Sequence, residues 1–192
     1  VKLEEDSSPR DLDALWALNL LGGFDDEAKT TALKSGNTHI RRWAVRLIGD
    51  AKSVSPQLAE RLLELARTEA DVEVRSQLAS TAKRLPANAA LPLVRELAIR
   101  NDIDDLHIPM MLWWAVESKC DSNPAAVLRM FAEDKLWQLP TVRTIMLDRL
   151  MRRFAMAGGL EDLQFCAKLL DLSPDEATTR LLISGLLQGF EG

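Results

Sequence analysis

Four short segments of this chain repeat one pattern: a branched residue, then arginine, then apolar residues about one helical turn further on. They are Ile40-Arg41, Val74-Arg75, Val142-Arg143 and Thr179-Arg180. The first two arginines lie 34 residues apart, the next gap is 68, and the last is 37. The slot skipped in the long gap falls in Ile108–Val116, with Met111 where arginine is expected. A unit of this length is one supersecondary motif that cannot bury its apolar face alone. Neighbouring units must stack to close a core.

Each unit reads as two helices. Four times a residue that can cap a helix precedes proline: Ser8-Pro9, Ser55-Pro56, Asn123-Pro124 and Ser173-Pro174. The Ser or Asn side chain accepts a bond from a free N–H of the first turn, and proline gives up an N–H that had no partner. Between these starts the apolar spacing is helical. One face of 39–50 carries Ile40, Trp43, Ala44, Leu47 and Ile48, and Arg46 stands four residues before Asp50 as a possible ion pair. Val74, Leu78, Ala82 and Leu85 form the next such face, and Val142, Ile145, Met146, Leu150 and Phe154 a third. Strand signals are scarce: tyrosine is absent and aromatics are 5%. The spacing predicts an all-α chain of eleven helices at 9–22, 25–35, 38–49, 55–68, 72–85, 88–100, 107–119, 124–134, 140–157, 160–172 and 175–190. Pro92 is expected at the edge of the first turn of its helix, or at its start.

Composition narrows the class. With 192 residues, 47% apolar and 28% charged, the chain can bury a core without staples. No apolar run approaches the roughly 20 residues that span a bilayer. Residues 1–8 are polar and acidic, read as a flexible tail, and carry no signal-peptide pattern. The first residue is Val1, so the chain looks like a segment excised from a longer protein. Cys120 and Cys166 belong to no CxxC pattern and read as helix-packing thiols. The net charge of −5 disfavours nucleic acid as a partner.

The repeat resembles the HEAT family of α-solenoids, in which an Asp in the turn and an Arg early in the second helix of each pair form a ladder. Asp71 with Arg75 fits that pattern best, Asp175 with Arg180 more loosely, and Arg41 has no Asp before it. The resemblance implies a right-handed α-α superhelix over 9–192, a single domain of five pairs plus a leading half pair, with Arg41, Asp71, Arg75, Arg143 and Arg180 as its ladder. Second helices would line the concave side. They carry Arg41, Arg42 and Arg46, then Arg143, Arg149, Arg152 and Arg153. These read as solvated faces with ladder salt bridges, or as an anion-attracting groove in which Arg42, Arg46, Arg149 and Arg153 meet a partner.

No enzyme motif is present: there is no GxGxxG, P-loop, HExxH or GxSxG. His39 and His107 stand 68 residues apart at helix starts, where they cap, pack or face solvent. Gly22-Gly23 and Gly158-Gly159 read as helix stops. Asp25-Asp26 and Asp104-Asp105 precede helices and favour the positive dipole end, while Glu4-Glu5-Asp6 lies in the tail. Trp16, Trp43 and Trp114 are each followed by Ala and read as large-small packing between repeats. Trp113 and Trp114 point about 100° apart, so one of them is partly exposed. Trp137, before Pro140, is placed to cover a helix end.

The runs Arg41-Arg42-Trp43-Ala44-Val45-Arg46-Leu47-Ile48-Gly49-Asp50, His107-Ile108-Pro109-Met110-Met111-Leu112-Trp113-Trp114-Ala115-Val116-Glu117 and Leu150-Met151-Arg152-Arg153-Phe154-Ala155 carry a narrower resemblance. Together they are similar to the helical middle region of large c-type haem proteins of planctomycete and verrucomicrobial bacteria. There a sorbosone-dehydrogenase-like propeller precedes the helices and a CxxCH cytochrome c domain follows. The resemblance implies an exported, periplasmic parent that oxidises a sugar-like or alcohol substrate. For this segment it implies a non-catalytic spacer or docking surface, monomeric as a fragment, that binds no cofactor or metal. The alternatives are a stand-alone module, cytoplasmic for instance, that binds a protein or peptide in its concave groove, and more weakly a HEAT-like DNA glycosylase or bilin lyase. If Trp43 is a buried inter-repeat residue, Trp43→Ala costs about 3–5 kcal/mol in thermal or urea unfolding. An unchanged melting curve would place the ring in solvent.

Overall fold

The computed structural model describes residues 9–132 and 134–191. Eleven α-helices follow one another, and no strand occurs among the described residues: α1 Pro9–Leu20, α2 Asp26–Leu33, α3 Thr38–Asp50, α4 Pro56–Thr68, α5 Val72–Ala82, α6 Ala87–Ile99, α7 Ile108–Cys120, α8 Pro124–Met130, α9 Leu147–Ala157, α10 Leu160–Asp171 and α11 Glu176–Phe190. A 3₁₀ turn (Asp134–Gln138) follows α8, and a π-helical segment (Val142–Met146) leads into α9. The eleven expected helices are all present. The one expected over 124–134 is shorter, because the chain tightens into the 3₁₀ turn. The expected tail and its Ser8 cap lie outside the described residues.

Short polar side chains set most helix starts. Asp25, Asn37, Ser55, Asp71 and Asp175 each accept a backbone N–H of the first turn, satisfying donors that the helix itself leaves open. Two of the Ser/Asn-Pro signals behave differently. Asn123 occupies the cap position of α8 without a side-chain cap bond. Ser173 lies in the turn before α11, whose cap is Asp175. Gly22 and Gly158 have φ of 75° and 67° and end α1 and α9 in the left-handed conformation that glycine adopts without strain. Pro92 sits inside α6, beyond the edge where it was expected. It and Asn88, four residues back, are both exposed, so the carbonyl that loses its N–H partner faces water.

Contacts gather into two compact units, one ending at Leu97 and the other beginning at Ala98. In the first, α3 packs against α1 on one flank and α5 on the other, while α2 lies against α3 and α4. Alternate helices are therefore neighbours. Ile40, Ala44, Val45 and Ile48 of α3 close on Val74, Leu78, Ala79 and Ala82 of α5, all at most 1% exposed. Gly49 lets the helices approach: a Cβ there would meet Thr81 Cγ2 at 2.7 Å. Thr81 fills the space it leaves and donates its hydroxyl to the Val45 carbonyl at 3.1 Å.

The second unit repeats the arrangement, with α9 against α10 and α11, and α8 against α7 and α10. Buried residues along the ninth helix come in pairs, Thr141-Val142, Met146-Leu147, Leu150-Met151 and Phe154-Ala155. The first step is five residues and the others four, and the π segment supplies the extra residue. The tightest contact is between α11 and α9. A Cβ at Gly185 would clash with the Asp148 backbone, and one at Gly189 would lie 2.5 Å from Ala155 Cβ and 3.0 Å from the Arg152 carbonyl.

Gly185→Ala is accordingly expected to lower stability by about 1–3 kcal/mol. The gain of about 1 kcal/mol in helix propensity is outweighed by the clash with backbone that cannot move aside. Urea unfolding followed by circular dichroism measures it, and a variant as stable as wild type would disprove the close approach.

Candidate functional site

The repeated arginines sit where a side chain can reach both its own turn and the next repeat. Arg41 donates to the Ser35 and Gly36 carbonyls at 2.9 and 3.1 Å, and its Nε and Nη2 hold Glu69 at 2.7 Å each. The Glu69 side chain is 2% exposed. Arg75 makes the same bonds to its own turn, to the Glu69 and Ala70 carbonyls at 3.3 and 2.7 Å. The ladder therefore differs from the expected one. Asp71 caps α5, and the carboxylate that reaches across is Glu69, two residues earlier. Arg143 approaches Asp175 at 3.8 Å and Thr178 at 3.4 Å. Arg180 leaves the ladder and pairs with Glu176 on an exposed face.

Burial drives the Glu69 carboxyl upward, but the Arg41 bonds and the Asp71 N–H outweigh it, so the group titrates below its ordinary value. The Asp26 carboxyl is also held low, first by the Ser55 hydroxyl and then by Lys29. Through that bond the start of α2 is tied to the cap of α4.

The four arginines assigned to a partner-binding face are engaged within the chain. In the first unit Arg42 lies 3.5 Å from Glu73, and Arg46 lies 5.4 Å from the centre of the Trp43 ring. The expected Arg46–Asp50 pair does not form, because Arg84 takes Asp50. In the second unit Arg149 donates to the Ile145 carbonyl at 3.0 Å and faces Asp148 at 3.6 Å, and Arg153 reaches Asp121 at 2.5 Å. Arg152 bonds Gln188 at 3.4 Å.

The tryptophans also divide. Trp16 and Trp43 meet edge to face with centroids 5.0 Å apart, but Trp16 is 36% exposed and Trp43 half-buried. Truncating Trp43 therefore removes less buried surface than full burial implies, and its cost falls to about 2–3 kcal/mol. The core tryptophan of α7 is Trp113, at 5%, while Trp114 is 44% exposed, contrary to the Trp-Ala packing pattern. On so apolar a helix the sequence could not say which ring faced inward. Trp137 is fully buried and donates from Nε1 to the Phe131 carbonyl at 2.8 Å, closing the end of α8.

The other candidates for chemistry fall at separate places. His39 and His107 are exposed at helix starts, their backbone N–H groups bound by Asn37 and Asp105. Cys120 and Cys166 are buried, and burial pushes their thiols up to about 12 and about 11, far from nucleophilic range. No group of three or more metal-ligating side chains occurs among the described residues. A hollow of about 410 Å³ opens beside Cys120, Leu128, Phe154 and Phe165, with Asp121, Glu161, Asp162 and Lys168 at its edge. A second, of about 440 Å³, lies between α1 and α2. Neither is legible in the sequence, since each is formed where separate helices leave a gap, α1 and α2 in one and α7 to α10 in the other. Among the described residues, no helix is long and apolar enough to cross a membrane. Comparison with protein-family models, curated proteins and solved structures finds no match.

Arg41→Ala leaves Glu69 buried without its guanidinium and is expected to cost about 3–5 kcal/mol at neutral pH. Because the folded carboxyl is held below 4.5, its ordinary value, its stabilisation is present above that pH and lost as pH falls through the depressed folded value. The gap between wild-type and variant melting temperatures should therefore narrow below about pH 4.5. A gap constant from pH 7 to pH 3 would refute the pair's contribution.

Proposed function

We propose that this chain is a non-catalytic helical scaffold, a spacer and docking platform for other domains of a larger exported redox protein. The observation that supports it most is the use of the charged side chains. Arg41 to Glu69, Arg67 to Glu96, Arg42 to Glu73, Arg153 to Asp121 and Arg84 to Asp50 join residues 28, 29, 31, 32 and 34 apart. Those separations are close to one repeat. The polar residues thus tie helix to helix in place of forming a reaction centre. Within each unit such ties oppose local opening. The dehydrogenase and cytochrome c setting, and the periplasmic compartment with it, rests on the resemblance of the Arg41–Asp50, His107–Glu117 and Leu150–Ala155 runs.

The same ion pairs weigh against a concave groove in which Arg42, Arg46, Arg149 and Arg153 capture an acidic partner, since such a partner would have to displace carboxylates and a ring already in place. The net charge of −5 weighs against a DNA glycosylase. Sequencing the encoding gene across both flanks tests the proposal. A propeller-encoding region upstream and a CxxCH motif downstream are expected. An open reading frame with neither would overturn the redox setting.

A further inference from the structure

We infer that the hollow between α1 and α2 is a docking groove for an amphipathic helix of a partner protein, one that carries basic residues along its flank. The inference deepens the docking-platform reading and rests on it. Small and apolar side chains line the hollow: Ala14, Leu15 and Leu18 from α1, Phe24 from the turn, Ala28 and Ala32 from α2. Leu18 is 39% exposed, and Leu20 and Leu21 just beyond it are 84% and 85% exposed. Apolar side chains left in water beside a hollow favour a partner that covers them.

Three observations select the occupant. First, α2 has two opposite working faces. Thr30, Leu33 and Lys34 look toward Arg61, Glu64 and Leu65 of α4, whereas Ala28, Thr31 and Ala32 look into the hollow. The first face holds α4, and α3 packs on α2 as well, while the half-buried Ala28 and, on α1, the exposed Ala14 are small side chains at the hollow that permit the close approach of a further helix. Second, two of the polar side chains at the hollow are bonded within α2, leaving the Glu27 carboxylate at its rim. The Asp25 carboxylate caps the Ala28 N–H at 2.9 Å, and the Thr31 hydroxyl donates to the Glu27 carbonyl at 3.0 Å. A small polar ligand would find few converging partners, while an apolar helix face needs none. Third, the charged lining residues are Asp25 and Glu27, with no Lys or Arg. Asp11 lies one turn before Ala14 and Leu15 on the same face of α1. The lining carboxylates of Asp25 and Glu27 complement a helix with Lys or Arg beside its apolar stripe. A second copy is a poorer match. The exposed apolar strip of α11 (Ile183, Leu187, Phe190) is flanked by Glu176, Arg180 and Glu191, an excess of acid against an acidic rim.

The test uses the whole chain and two fluorescein-labelled peptides of about 18 residues, five turns of helix. They share a leucine-alanine stripe and carry either lysine or glutamate flanks. Fluorescence anisotropy is expected to show saturable binding of the lysine peptide and at least about tenfold weaker binding of the glutamate peptide. Ala28→Arg, which fills the floor, should weaken the lysine peptide by about tenfold or more. Glu27→Lys, on an exposed position, should narrow the preference between the two, with the melting temperatures of both variants checked against wild type. Absence of binding, equal binding of both peptides, or binding indifferent to both variants would overturn the groove. Sedimentation showing that the chain associates with itself, with the peptide competing, would assign the hollow to a second copy and also overturn it. Failure here leaves the gene-flank result untouched, and failure of the gene-flank test leaves a measured peptide affinity standing.

Discussion

The structure depends on the close approach of helices two apart in the chain. In the first unit α3 meets α5 where Gly49 leaves room for Thr81. In the second, α9 meets α11 where Gly185 and Gly189 put backbone against backbone. Packing at this distance admits no added methyl group, because interiors are as dense as organic crystals. It also fixes what lies between. With alternate helices in contact, each intervening helix must pack on the other side, as α2 does with α3 and α4 and α10 does with α8 and α9. The π segment before α9 belongs to the same constraint, since it brings Thr141-Val142 onto the buried face that Met146-Leu147 and the later pairs continue.

Charge follows from that geometry. Once alternate helices are held close, an arginine early in one helix reaches the turn of the next pair, and a carboxylate there can be buried safely. Glu69 is the clearest instance, with a side chain 2% exposed and two guanidinium bonds at 2.7 Å. A buried carboxylate without that partner would be heavily penalised, so the two side chains have to be kept together. Most of the arginines that could have formed a basic surface are drawn into such ties.

The helix pattern was legible because it rests on short-range physics. A cap such as Ser55, and the left-handed Gly158, act within one turn. The face of Val74, Leu78, Ala82 and Leu85 is fully buried as its spacing demands. Where two local signals competed, the sequence was ambiguous. Ser173-Pro174 marks the start of α11, but the cap is Asp175, the acid of the looser ladder match, which accepts the Thr178 N–H at 2.7 Å. Trp113 and Trp114 both suited an apolar helix, and only the neighbours of α7 decided that Trp113 is inside. The ladder acid was sought at Asp71 because it stands in the turn, but the acid within reach of Arg41 is Glu69. The glycine pair of α11 has a visible four-residue spacing, yet nothing local says what it packs against.

The sequence by itself determined eleven helices, the glycine stops at Gly22 and Gly158, and the spacing at which arginine recurs, since all of these follow from backbone hydrogen bonding and side-chain period along one helix. Tertiary structure alone decided which acid each arginine meets, which tryptophan faces the core, and where two helices stand far enough apart to leave a hollow. Those outcomes depend on distances between residues about 30 positions apart or more, set by side-chain volumes on two helices at once. No pattern read along a single helix contains them.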